Sequence, residues 1–195
     1  LMAVLVVLQC VSLIIALFVS RVFFLLDSES FRLFSNTANS RMLNFNNSIA
    51  KVVGNVTDEA TTFNSTLNNI AAQHGISADM IYKDDEVYME AAIAGSESLI
   101  HLLQENKVSG AFFILNKSNT NKTSENAHSA VYFRNTAQNN DFKDTGNYLM
   151  EIGPIGVSQQ YKIATSINWN LDLQFADENP ETYAFYNRPI EAAAG

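Results

Sequence analysis

The chain has 195 residues, with 20 acidic against 12 basic side chains, a formal net charge of −8 and a pI of about 4.8. That balance excludes a nucleic-acid surface, because phosphate contacts need clustered Lys and Arg and the basic residues here are scattered. The single cysteine, Cys10, excludes an intrachain disulfide.

The first element is apolar from Leu1 to Leu26, interrupted only by Gln9, Ser12, Ser20 and Arg21. A helix of that length rises roughly 39 Å, against a hydrocarbon core of about 30 Å. It reads as a retained transmembrane helix. A cleavable signal peptide has a shorter apolar core and a small-residue cleavage site. Here Phe23, Phe24, Leu25 and Leu26 run straight on. No basic run follows to bind lipid headgroups.

Asp27 and Ser28 are residues suited to capping a helix start. An amphipathic pattern begins there, with Met42, Ile49, Val56, Phe63 and Ile70 spaced seven apart. Phe45 and Val52 accompany them early, and Val53, Ala60 and Leu67 later, the drift of a 3.6-residue period against a heptad. The pattern predicts a helix from about Ser28 to His74, closed by Gly75. Its apolar stripe serves either a dimerising stalk or packing on its own domain. Ser77 to Ile81 predicts a short helical turn. A second helix is expected from Asp84 to Glu105, with Asp84, Asp85 and Glu86 at its positive end. Its apolar stripe is Val87, Ala91, Ala94, Ser98 and Leu102, flanked by Leu99 and Leu103.

From Val108 the period changes. Ala111 to Leu115 and Ala130 to Arg134 read as strands, separated by a polar loop from Asn116 to Asn126. Asn135 to Gly146 is a second loop, and Tyr148 to Ile152 packs on the core. Gly153-Pro154-Ile155-Gly156 reads as a turn. Tyr161 to Ile167 alternates as a strand, and Tyr183 to Tyr186 is the last strand candidate. Helices followed by antiparallel strands give an α+β class rather than a βαβ alternation. The expected organisation is a transmembrane helix over 1–26, a long amphipathic helix over 27–75, and an α+β domain with an antiparallel sheet over 76–195.

No catalytic signature is legible. A Gly-rich phosphate loop, G-x-S-x-G and H-E-x-x-H are all missing. His74, His101 and His128 lie far apart without a ligand partner at metal spacing, and the acidic trio at Asp84 reads as a cap, so no metal or cofactor is expected. N-x-S/T sequons occur at Asn46, Asn55, Asn64, Asn116 and Asn121. What remains is an aromatic and polar set: Tyr132, Arg134, Tyr148, Trp169, Phe175, Tyr186 and Arg188. Small-ligand pockets combine apolar and aromatic walls with a few fixed polar groups. Arg134 or Arg188 suits a carboxylate through paired donors. The same residues would otherwise fill core and pair with surface acids.

The order of a membrane helix, a long helix, a second helix, Val108-Ser109-Gly110-Ala111-Phe112-Phe113-Ile114-Leu115 and Ala130-Val131-Tyr132-Phe133-Arg134-Asn135 is followed by Ile163 to Trp169, Phe175 and Tyr183-Ala184-Phe185-Tyr186-Asn187-Arg188-Pro189. It resembles the N-terminal part of the double Cache (PAS-like) extracellular sensor region of bacterial transmembrane receptors. The resemblance implies a membrane-distal PAS-like domain with a five- or six-stranded antiparallel sheet on a long helix. It implies a small organic ligand, an amino acid or carboxylate among them, an extracytoplasmic location, and output through a kinase, diguanylate cyclase or chemotaxis module. A homodimer through the long helix is the expected assembly. Many relatives carry Asp where this chain has Asn135, and the amino-acid-binding motif is incomplete. The chain reads as one half of such a sensor, with a second span expected beyond Gly195. The alternative is a pilin-like structural subunit, against which stand the lack of a Glu near the start and of a Gly-Phe processing junction. An anchored enzyme would need a nucleophile or metal set that the residues do not supply.

Overall fold

The computed structural model describes residues 2–118, 127–137, 143–175 and 181–194. The element order is α1 (Met2–Gln73), a 3-10 turn (Ala78–Lys83), α2 (Asp85–Asn106), β1 (Gly110–Ser118), β2 (Ala127–Asn135), β3 (Tyr148–Ile152), α3 (Ile155–Tyr161), β4 (Ala164–Asn170), β5 (Leu173–Gln174) and α4 (Ala184–Ala194). The class is α+β, a long helix followed by a mixed sheet and further helices. The chain divides into two compact units, Leu1–Lys51 and Val52–Gly195.

In the first unit the helix passes through Asp27 and Ser28 without a break, so no cap forms where those residues permit one. Leu13, Ile14, Ile15, Leu17 and Phe18 are all exposed and cover more than half of the helix circumference. Among the described residues, whose side chains begin here at Gln9, no helix is long and apolar enough to cross a membrane. Further on, Met42, Phe45 and Ile49 are 57%, 64% and 45% exposed.

The second unit holds the buried core. From Val52 onward α1 is a packing element, with Ile70 and Ala71 buried and Leu67 against them. Gly75 ends it as expected: at φ +67 it lets its own N–H reach the Ala72 carbonyl and the Ile76 N–H reach that of Ala71, at 3.1 and 2.9 Å. Asp84 caps α2, its carboxylate accepting from the backbone N–H of Glu86 and Val87 at 3.0 and 3.2 Å. The buried stripe of α2 includes Tyr88, Ala91, Ala92, Gly95, Ser96, Leu99 and Leu103. Ala94 and Ser98, expected in that stripe, are half-buried and flank a groove against α1. Two histidine–carboxylate contacts link the helices, His74–Glu90 at 2.8 Å and His101–Glu59 at 2.5 Å.

The sheet order is β1-β2-β3-β4, with β5 pairing the start of β2. β1–β2 and β2–β3 are antiparallel, but β3 and β4 are parallel. The sheet is therefore mixed, which corrects the all-antiparallel expectation. A parallel pair needs a crossover, and α3 supplies it. Part of the stretch read as a turn and strand, Ile155–Tyr161, is that helix. Gly153 makes the sharp exit from β3 at φ +143, a backbone region open essentially to glycine. The second correction concerns Tyr183 to Tyr186, which lead into α4 instead of forming a strand. The two polar loops lie partly outside the described residues, as does the sequon at Asn121.

Candidate functional site

Strand alternation gives the sheet two different faces. On one, Ala111 pairs Phe133 and Phe113 pairs Val131, and this face packs on α1 and α2. On the other, Phe112 pairs Tyr132 and Ile114 pairs Ala130. This second face is partly open. A cleft of about 480 Å³ lies over it, floored by Phe112, Ile114, Ala130 and Tyr132 and walled by Ile152, Leu173 and Phe185 of α4. The volume lies within the range of small-molecule sites.

Three rings shape this cleft. Phe112 meets Tyr132 edge-on at 6.2 Å and Phe185 edge-on at 6.1 Å. Edge-to-face contacts hold rings apart while both remain in contact. Gly110 fits beside them because a side chain there would meet the Tyr132 ring at 2.8 Å. At the far end α4 is pinned by an aromatic cluster. His128 stacks on Phe175 at 4.5 Å and meets Tyr186 at 4.9 Å, and Phe175 lies 4.3 Å from Tyr183.

The residues singled out from sequence separate into six places. Tyr132 lines the cleft. Tyr148 is fully buried on the opposite, core face. Trp169 anchors the turn after β3, its indole N–H donating to the Gly153 carbonyl at 3.0 Å. Tyr186 and Phe175 belong to the cluster that pins α4. Arg134 binds Glu151 through Nε at 3.0 Å, and Glu151 also accepts from the Ser166 hydroxyl at 2.5 Å. Arg188 lies 3.6 Å from Glu181, both largely exposed. Neither arginine lines the cleft. Phe112, Ile114, Gly110 and Phe185 were not singled out. The signal for the first two is that Ala111 to Leu115 is apolar without alternation, which requires both strand faces to be apolar.

The perturbed tyrosines are all held neutral. Burial, and next the charge of Asp172, push the Tyr88 hydroxyl up, opposed by a hydrogen bond with Ser129. Burial and then Glu97 raise Tyr161, which donates to the Ile93 carbonyl at 2.8 Å. Burial raises Tyr186.

A second groove of about 480 Å³ between α1 and α2 is lined by Glu59, Thr66, Glu97, His101 and Gln104. The His101–Glu59 contact crosses it. Among the described residues no group of three or more His, Cys, Asp or Glu is placed to hold a metal ion. The cleft on the sheet has the more apolar lining of the two, the kind that small-molecule sites favour. Comparison with known proteins finds no matching family model, no matching curated protein and no matching solved structure.

Proposed function

We propose that the second unit is the small-ligand-sensing domain of a membrane-anchored signalling receptor of the double Cache (PAS-like) kind. The observation that carries the reading is the apolar cleft on the open sheet face, closed on one side by Phe185 of α4. A ligand seated there touches β1, β2 and α4 together, and the other face of β1 packs on α1 through Phe113 and Phe63 at 4.9 Å. Ligand contact and long helix are thus separated by one strand. The apolar stretch Leu1–Leu26 supplies the anchor in this reading, because a helix apolar on all faces requires an apolar surround. The sensing unit then lies outside the cytoplasm.

The test is a thermal-shift screen of the full chain against a broad small-molecule library, followed through Trp169, the sole tryptophan. A true ligand stabilises by about 2.7 kcal/mol at a hundredfold excess over Kd. Phe112→Asp, at a half-exposed position, should abolish that gain while leaving the unliganded protein folded. A library without a single stabilising compound, or stabilisation that survives Phe112→Asp, would sink the proposal.

A second copy of the chain is the partner in this reading. Met42, Phe45 and Ile49 follow the three-and-four spacing of a two-helix seam and are exposed in the first unit. The full chain in detergent should sediment as a dimer, and Phe45→Asp with Ile49→Asp should sediment as a monomer. A monomeric wild-type chain would remove the dimer.

A further inference from the structure

We infer that the cleft takes a small uncharged, ring-bearing molecule with a single polar group, rather than an amino acid or carboxylate. The inference rests on the reading that this cleft is the ligand site, and it narrows the ligand's chemistry.

The charge pattern carries the argument. The described lining residues include no charged side chain, and their polar side-chain groups are Ser109 and the Tyr132 hydroxyl at one end. Arg134 is the next residue of β2 on that side, beyond Tyr132. Its Nε is committed to Glu151, which is 17% exposed and further held by Ser166. Arg134 does not line the cleft, so a ligand carboxylate seated there would meet no cation among the described lining residues. An ion taken from water without a partner loses several kcal/mol of solvation. Arg188 is exposed on α4 and does not line the cleft.

The walls favour a ring. Phe112 lies perpendicular to Tyr132 and Phe185, at interplanar angles of 90° and 89°, and remains 53% exposed. A flat apolar molecule can lie against that exposed ring surface, with its polar group toward Ser109 and Tyr132. An aromatic pair in such a geometry gains more than its buried area alone provides.

Three probes that share a benzene ring separate the ligand classes: neutral 4-methylbenzyl alcohol, anionic 4-methylbenzoate and zwitterionic phenylalanine. Each is titrated against the full chain in lipid nanodiscs, with thermal unfolding read from Trp169. The alcohol should bind at least ten-fold more tightly than either charged probe. Arg134→Gln should leave the alcohol's effect unchanged, and Phe112→Asp should remove it. Tighter binding of 4-methylbenzoate or phenylalanine, lost in Arg134→Gln, would overturn the ligand class while leaving the cleft as the sensing site. An alcohol effect that persists in Phe112→Asp would overturn both the ligand class and the site. No response to any of the three probes would overturn the ring-bearing class alone, since the broad library screen tests the site separately.

Discussion

Replacing Tyr148 with alanine is expected to cost about 3–5 kcal/mol of stability, the range for emptying a large aromatic from a core. Tyr148 is fully buried in β3, on the same face as Phe133 and Met150, also fully buried. That loss is a large share of the 5–15 kcal/mol that holds a domain folded. Urea unfolding followed through Trp169 should show a lower midpoint with an unchanged slope. Arg134→Gln in the same experiment should change stability by less than about 1 kcal/mol, because its side chain is half exposed and solvent screens the pair. The two variants separate core from surface among residues that the sequence offers alike as site candidates. An unchanged midpoint in Tyr148→Ala, with ligand response lost, would place Tyr148 in the site instead of the core.

The helical half of the second unit was legible because its boundaries are set by local chemistry. Asp84 caps α2 with its own side chain, and Gly75 supplies the left-handed turn that closes α1. β1 and β2 were legible as apolar runs. The parallel pair was not, because the intervening α3 has only 7 residues, too few to show a helical period. Tyr183 to Tyr186 misled for a different reason. Aromatic residues favour strands, and Pro189 stands inside the helix that forms there. Tertiary contact decides the outcome, since Tyr183 and Tyr186 stack on Phe175. The site was half legible. Tyr132 could be found from its aromatic and polar character, whereas Phe112 and Ile114 resemble core until strand register assigns them to the open face. For Arg134 the sequence leaves open a ligand carboxylate or a surface acid, and the acid is Glu151, 17 residues away in sequence and its neighbour only through the β2–β3 pairing.

Gly95→Ala should destabilise the second unit, although alanine is the better helix former by about 1 kcal/mol. Gly95 is buried in the interior of α2, and a Cβ there would lie 2.6 Å from ring atoms of both Phe63 and Phe113. Those rings, 4.9 Å apart, are where α1, α2 and β1 meet. One methyl group cannot be accommodated without moving both. Overpacking of this kind costs about 1–3 kcal/mol, so the net loss is about 0–2 kcal/mol after the gain in helix propensity. Phe63→Leu in the Gly95→Ala background should recover part of it, a coupling that a double-mutant cycle reads directly. Stabilisation by Gly95→Ala, with no coupling to Phe63, would show that the rings yield freely and the contact is loose. The consequence reaches the cleft because Phe112 and Phe113 are adjacent on β1 and face opposite ways. Displacing Phe113 tilts the strand that carries Phe112, so Gly95→Ala should also weaken ligand binding. In the proposed receptor, that same strand connects the ligand to the long helix.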